Sequence, residues 1–209
     1  WFKKEFGLKE IQMAEQTGKH PETFFDAMVD EVPAGSMGLI LQPYWSPGVK
    51  VPGTEAKGAI IGFGDVHTRA HVYRAILEGL TYSLKEGLNR TVKRTKVPVR
   101  SVVVSGGGSQ SKQAMQITAD IFNLETYRPH TYETSAIGAA INAAVGMGYY
   151  SDFPSAVAAM TRKGDRYEPD PHNVEIYRDL YDKVYSKMYR HLRPLYEEIR
   201  DVTGYPPKI

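Results

Sequence analysis

Apolar and polar positions along the chain predict helices that alternate with short strands. The longest amphipathic stretch runs from about Thr68 to Lys93, where apolar side chains recur at helical spacing. The β-branched run Val102–Val104 predicts the clearest strand, and a largely buried helix from about Ser111 to Asn123 follows it. Further helices are predicted over residues 1–17, 21–30, 134–146 and from Pro154, and further strands at 39–41, 59–61 and 124–128. A long last helix is predicted over residues 171–201, with a bend near Pro194. This alternation predicts an α/β layered domain.

Composition narrows the function classes without selecting one. The chain has 209 residues, 42% of them apolar and 24% charged, with a formal net charge of +2 and no cysteine. A nearly neutral chain gives no reason to expect nucleic acid or a membrane surface as partner. The absence of cysteine excludes a disulfide scaffold and is compatible with a cytoplasmic location. The chain also lacks an initiator Met, a signal peptide and any bilayer-length apolar run, so we expect a segment of a longer cytoplasmic protein.

The strongest local signal for a ligand site is the glycine-rich stretch between the strand at Val102–Val104 and the next helix. Gly106, Gly107 and Gly108 remove the side chains where a ligand could lie against the backbone. The following helix begins at the same place, with N–H groups that carry partial positive charge. Such a turn suits a nucleotide, through either its phosphates or its base and ribose. Ser109 and Ser111 are each able to cap the helix or to hydrogen-bond a ligand. A tight turn with a serine cap and no ligand is the alternative reading.

Other known motifs do not fit. There is no G-x-x-x-x-G-K-[ST] phosphate loop, and the third glycine of a dinucleotide fingerprint is missing after Gly106–Gly108. His67 and His71 have a spacing that can bind zinc, but position 68 is threonine and no third ligand is evident. We therefore predict no metal site made by this chain, and the residues alone identify no catalytic group.

Several stretches taken together resemble the FGGY carbohydrate kinases, a family that includes glycerol kinase, xylulokinase and gluconate kinase. Gly58–Gly62 and His71–Glu78 are similar to the second family signature, although Phe63 stands where an aliphatic residue is usual. Val104–Ser109, with Gln116 and Asp120, resembles the adenosine-binding strand, loop and helix. Glu133–Ala140 resembles the E-x-x-A-x-G-A-A helix, and Gln42–Gly48 resembles the proline-rich loop of the family.

The resemblance implies an actin-like, ribonuclease H-like ATPase fold, with residues 1–209 forming the C-terminal half of a two-domain kinase. It implies ATP and Mg²⁺ as cofactors, a sugar or polyol as substrate, and the N-terminal domain of the same protein as partner. A homodimer is compatible with the sequence. The adenine side of ATP would lie on Gly107, Gly108 and Ser111, and the general base and phosphate loop would lie outside this segment, so we expect the segment alone to be inactive.

The function predicted from the sequence is therefore transfer of the γ-phosphoryl group of ATP to a hydroxyl of a sugar or polyol. One rival is a non-catalytic actin-like ATP-binding or assembly module, which the stretch His71–Glu78 argues against. The other rival is a nicotinamide-dependent oxidoreductase built on the glycine turn, which the missing third glycine argues against. The sequence does not identify the substrate, because the residues that read it lie mainly outside the segment in this family.

Overall fold

A computed structural model describes residues 1–19, 21–46, 48 and 51–207. The α-helices are α1 (Phe2–Phe6), α2 (Leu8–Thr17), α3 (Pro21–Asp30), α4 (Arg69–Thr95), α5 (Lys112–Phe122), α6 (Thr134–Gly146), α7 (Phe153–Met160), α8 (Pro171–Leu180) and α9 (Ser186–Thr203). The strands are β1 (Ile40–Gln42), β2 (Ala59–Ile61), β3 (Ser101–Val103), β4 (Glu125–Pro129) and β5 (Lys163–Tyr167). The predicted α/β alternation is confirmed.

The described strands form two separate small sheets. β1 and β2 make an antiparallel pair, with Ile40 opposite Ile61. The second sheet has the order β3-β4-β5, with β3 parallel to β4 and β5 antiparallel to β4. The parallel pair requires a crossover, and α5 supplies it. Because β3 and β4 are parallel, the chain leaves both strands at the same edge of this sheet.

Helix α4 is the central support of the molecule, because both core clusters pack against it. On one side lie buried side chains of α1, α3 and β1, including Phe2, Phe25 and Leu41. On the other side lie buried side chains of α5 and α8, including Ile117, Ile121 and Tyr177. Glycine at position 79 permits the close approach of α4 to β1, because a Cβ there would lie 2.2 Å from the carbonyl oxygen of Leu41. The position of α5, and hence of the turn before it, therefore depends on α4.

The apolar row predicted along α4 is only partly buried. Ile76 is buried, but Leu80 and Leu84 are 40% and 62% exposed. The buried face runs instead through Ala75, Gly79 and Tyr82, and the two small residues among them allow closer packing than leucines would. The helical spacing of the apolar positions is confirmed by α4, but these positions do not form one continuously buried face.

A buried network joins α4 to α8 and to the turn before β1. Glu78 accepts hydrogen bonds from Arg74 Nε at 2.8 Å, Tyr177 OH at 2.8 Å, Ser36 Oγ at 2.9 Å and the Gly35 backbone N–H at 3.0 Å. Arg74 also donates to the carbonyl oxygens of Val29 and Val32, at the end of α3. Burial raises the pKa of the Glu78 carboxyl, against the lowering effect of Arg74 and the hydroxyl donors. This network connects three segments that are far apart in sequence.

The C-terminal helical region extends slightly beyond its predicted end, and its irregular turn lies before Pro194 rather than at it. It runs from Pro171 to Thr203, with a π-helical turn at Tyr181–Tyr185 between α8 and α9. The expected disturbance at Pro194 falls inside α9, which continues through it. Tyr177, Tyr181 and Tyr185 recur four residues apart and are buried, so this side of the helical region packs into the core. Across residues 1–19, 21–46, 48 and 51–207, no helix has the length and apolar character needed to cross a membrane.

Candidate functional site

The segment Val104–Ser111, here called the glycine turn, lies at the carboxyl ends of the two parallel strands. It joins β3 to α5, and the connection from β4 to α6 lies directly beside it. The Gly106 N–H donates to the carbonyl oxygen of Tyr132 at 3.3 Å, and the Thr134 hydroxyl donates to Ser105 Oγ at 3.2 Å. Ligands of open α/β sheets bind at this end of the strands, where two adjacent connections meet. The topology therefore supports a ligand site at the glycine turn.

The three glycines of the turn differ in whether the backbone conformation at their position favours glycine. Gly106 has φ +85° and ψ −174°, a backbone conformation that side chains disfavour. Gly107 and Gly108 have no positive φ and begin a short 3-10 turn that ends at Gln110. Both are exposed, and a Cβ at either would meet no other heavy atom within 4 Å. Gly106 thus shapes the turn, whereas Gly107 and Gly108 present bare backbone to open space.

The two serines of the turn are engaged within the protein. Ser109 is fully buried, and its hydroxyl donates to the Gly106 carbonyl at 2.7 Å. Ser111 is the N-cap of α5, because its Oγ accepts from the Ala114 N–H at 3.0 Å. The same hydroxyl donates to Asp26 Oδ1 at 2.6 Å. The sequence left open whether Ser111 caps the helix or binds a ligand, and in the structure it caps the helix. Burial leaves Ser109 no surface for direct ligand contact, so the expectation of such a contact does not fit this arrangement.

Two carboxylates of α3 lie against the N-terminus of α5. Asp26 accepts from Ser111 Oγ and from the Lys112 backbone N–H. Asp30 accepts from Gln113 Nε2 at 3.1 and 3.2 Å. Burial raises the pKa of Asp26, and the two hydrogen bonds that it accepts oppose this rise. A phosphate at this helix end would have to displace Asp26 and approach both carboxylates, so the helix N-terminus is unfavourable for phosphate.

The residues around the turn that sequence reasoning missed are Asp26, Tyr132 and Thr134. Asp26 lies far from the turn in sequence, and no local pattern marks an aspartate on α3 as a partner of Ser111. That the connection from β4 to α6 lies near the turn could be expected in part from the sequence, because adjacent parallel strands end at the same edge of a sheet.

The two histidines near the start of α4, His67 and His71, make hydrogen bonds to the backbone that stabilise the beginning of this helix. His71 Nδ1 accepts from the Thr68 N–H at 3.2 Å, which completes a capping box with Thr68. His67 Nδ1 accepts from the Gly64 N–H at 2.8 Å. Because Nδ1 accepts a hydrogen bond, the neutral form of each ring carries its proton on Nε2. A metal would need the lone pair of Nε2, so this arrangement does not favour a metal ligand. Burial, with a smaller contribution from His67, lowers the pKa of His71. Within the described parts of the chain, no group of three His, Cys, Asp or Glu side chains is placed to hold a metal ion.

Some residues that carry the family resemblance lie in the core rather than at the turn. Arg74 and Glu78 form the buried network described above. Asp120 is buried and accepts from Gln116 Nε2, the Asp170 N–H and Asn173 Nδ2 at 2.8 to 3.0 Å. It thereby ties α5 to the start of α8. These residues support the site without forming its surface.

A family model and the most similar curated proteins all point to carbohydrate kinases. Residues 1–147 match the model of the FGGY family of carbohydrate kinases, C-terminal domain. The xylulose kinase of Staphylococcus epidermidis is 33% identical over 81% of this chain and 34% of its own length. The gluconokinase of Bacillus subtilis is 30% identical over 96% of this chain and 39% of its own. The chain thus spans little more than a third of the length of these relatives.

The solved structures agree with the predicted fold class. The crystal structure of the xylulose kinase from Rhodospirillum rubrum superposes with a TM-score of 0.73 at 30% sequence identity. The match covers 90% of this chain and 37% of that one. The actin-like, ribonuclease H-like fold expected from the sequence is therefore confirmed for this segment.

Proposed function

Since the chain belongs to the FGGY family of carbohydrate kinases, we propose that its full-length protein transfers the γ-phosphoryl group of ATP to a hydroxyl of a sugar or polyol. In this proposal residues 1–209 form a single C-terminal domain that binds the nucleotide, and an N-terminal domain supplies the rest of the site. Xylulose kinase and gluconokinase are the named activities of similar proteins, which supports a carbohydrate as acceptor. The cytoplasm, where ATP is available, is the proposed location.

The proposal rests on two neighbouring features of the glycine turn. Its backbone is exposed without side chains, and carboxylates already occupy the N-terminus of the helix that follows, α5. Gly107 and Gly108 offer exposed backbone without side chains and with open space beside it. Asp26 and Asp30 make the neighbouring end of α5 unsuited to phosphate. A flat, uncharged part of the nucleotide fits such a surface better than its phosphates do. We therefore assign the adenosine part of ATP to Gly107 and Gly108, with the triphosphate directed away from α5.

The remaining predicted site residues have supporting roles in this proposal. Gly106 provides the backbone conformation that exposes Gly107. Ser109 closes the turn through the Gly106 carbonyl. Ser111 caps α5 and fixes the turn to α3 through Asp26. The domain would thus orient the nucleotide and exclude water on one side, which is a large part of what a phosphoryl-transfer enzyme must do.

Magnesium enters the proposal only with the nucleotide. The donor sets among the described residues do not fit a dedicated metal cage. Mg²⁺ commonly binds through substrate phosphates with few protein ligands, and as the ATP complex it would neutralise phosphate charge. No residue of this chain is assigned to it.

The proposal is tested by measuring ADP release from the full-length protein against a panel of pentoses, hexoses, sugar acids and polyols. We expect one or a few of these compounds to stimulate turnover to roughly 1–100 per second, as is typical of kinases. Residues 1–209 alone should give only the background rate, because in this proposal the general base belongs to the N-terminal domain. Absence of stimulation by every compound, together with filament assembly on addition of ATP, would instead support the non-catalytic assembly module.

A further inference from the structure

We propose that the cavity between α3, α5 and the start of α8, here called the α5 cavity, is a binding site for a neutral carbohydrate, either a monosaccharide or a polyol. The cavity has a volume of about 350 Å³, at the lower end of the range of about 300–1,000 Å³ that is usual for small-molecule sites. None of the residues of the glycine turn lines it. The proposal shares a class of ligand with the proposed function but does not depend on the kinase activity.

The α5 cavity combines a buried apolar part with a polar mouth. Val29 and Ile117 are buried and supply apolar surface, whereas Asp30 and Lys112 are exposed. Tyr167 adds an aromatic ring to the lining. A sugar or polyol carries C–H groups as well as hydroxyls, so it is able to contact both parts of this surface.

Gln113, which lines the cavity, has a buried acceptor without a partner. Its Oε1 accepts no hydrogen bond from the described residues, whereas its Nε2 donates to the Asp30 carboxylate at 3.1 and 3.2 Å. A buried acceptor without a donor costs stability. A ligand hydroxyl that enters the cavity would supply the missing donor.

Two basic side chains of the lining provide donors. All but one of the N–H groups of Arg74 already donate to acceptors within the protein. The Lys112 ammonium group has no acceptor among the described residues. The last Arg74 N–H and the Lys112 ammonium are therefore available to a ligand.

The charges around the cavity favour a neutral ligand. The lining holds two carboxylates and two cations: Asp30, Asp120, Arg74 and Lys112. An anion would lie close to the carboxylates, and a cation would lie close to the basic side chains. Since a hydroxyl both donates and accepts, a carbohydrate can donate to Gln113 Oε1 and Asp30 and accept from Lys112. Because few groups are unpaired, we expect an affinity of about millimolar.

The first test is lysine modification of the full-length protein without nucleotide. Acetic anhydride acetylates exposed lysines, and mass spectrometry gives the ratio of acetylation at Lys112 to that at Lys93, an exposed lysine of α4 outside the cavity. The probes are xylose, glucose, xylitol and glycerol, and at least one of them should lower this ratio about threefold at concentrations above the expected dissociation constant. Inorganic phosphate and free glycine should leave the ratio unchanged. Protection by phosphate or glycine alone, or by no compound, overturns the proposal.

The second test separates this cavity from the acceptor site of the proposed N-terminal domain. Gln113→Leu should abolish the protection of Lys112, and the melting temperature of the ligand-free protein should not fall, because the substitution removes a buried acceptor without a partner. Gln16→Leu is the matched control, since this exposed glutamine lies on α2, outside the cavity, and its variant should retain the protection. Protection that survives Gln113→Leu would come from carbohydrate bound elsewhere, and the proposal would be wrong.

Asp30→Ala gives the same test at an exposed position at the C-terminal end of α3. A carboxylate there opposes the helix dipole, so its loss should not lower stability. The variant should weaken carbohydrate binding at least about threefold, because a charged acceptor is lost. Unchanged binding by a folded Asp30→Ala variant would contradict the proposal even if Gln113→Leu proved unstable. Because nucleotide is absent from every sample, these results do not depend on whether the protein is a kinase.

Discussion

Replacement of Gly107 by leucine in the full-length protein is expected to weaken ATP binding by at least about 100-fold, or about 2.8 kcal/mol. A leucine side chain would project from the glycine turn into the space assigned to adenosine. The protein itself should tolerate the change, because Gly107 is exposed, has no positive φ and has no heavy atom within 4 Å of an added Cβ. The loss of affinity should therefore occur with an unchanged melting temperature of the nucleotide-free protein.

Gly87→Leu is the matched control for this experiment. Gly87 is also exposed with open space around it, but it lies on α4, remote from the turn in sequence. Leucine has the higher helix propensity, so this variant should bind ATP normally and be as stable as the parent or slightly more so. Titration calorimetry measures both affinities. If Gly107→Leu binds ATP as tightly as Gly87→Leu does, the adenosine site is not at the glycine turn.

The largest expected effect on stability comes from Glu78→Ala, which should lower the free energy of unfolding by about 3–5 kcal/mol. The substitution leaves the Arg74 guanidinium largely buried without its carboxylate partner, and it also removes the acceptor for Tyr177 OH, Ser36 Oγ and the Gly35 N–H. Tyr177 lies on α8, and Ser36 and Gly35 lie in the turn before β1, so the loss of their acceptor should loosen α4, α8 and this turn together.

Urea unfolding measures this effect, with Glu86→Ala as control. Glu86 also forms an i,i+4 ion pair, with Arg90 at 2.7 Å, but this pair is much more exposed. Its removal should cost less than about 1 kcal/mol. The double variant Arg74→Met, Glu78→Leu should recover part of the lost stability, since it leaves no unpaired buried charge. Equal effects of Glu78→Ala and Glu86→Ala would contradict the role assigned to the buried network.

The sequence predicted local elements well where one strong signal determined them. Helix α5 lies between its cap residues Ser111 and Asn123, as expected, and α6 has the predicted bounds. Strand β5 was missed, because Lys163–Tyr167 is a polar, largely exposed edge strand without the alternation that marks a half-buried one. The long helix was expected to be disturbed at Pro194, whereas the irregular turn at Tyr181–Tyr185 follows from no single residue type.

The candidate site was predictable only in its local part. Three glycines after a β-branched run indicated an open turn, and the turn is open at Gly107 and Gly108. The sequence could not show that Ser109 is buried or that Ser111 is already engaged by Asp26. Those facts depend on how α3 packs beside α5, which is a tertiary contact between segments far apart in the chain. The preference for adenosine over phosphate at this turn rests on that contact.

The most direct test of the adenosine assignment is photolabelling of the full-length protein with an ATP analogue that carries an azide on its adenine ring. Trypsin cleaves after Arg100 and Lys112, so the glycine turn is recovered within one peptide, Ser101–Lys112. Mass spectrometry should find the label in this peptide, and excess ATP, but not NAD, should prevent labelling. Label that ATP displaces from other peptides, with none on Ser101–Lys112, would contradict the assignment of adenosine to Gly107 and Gly108.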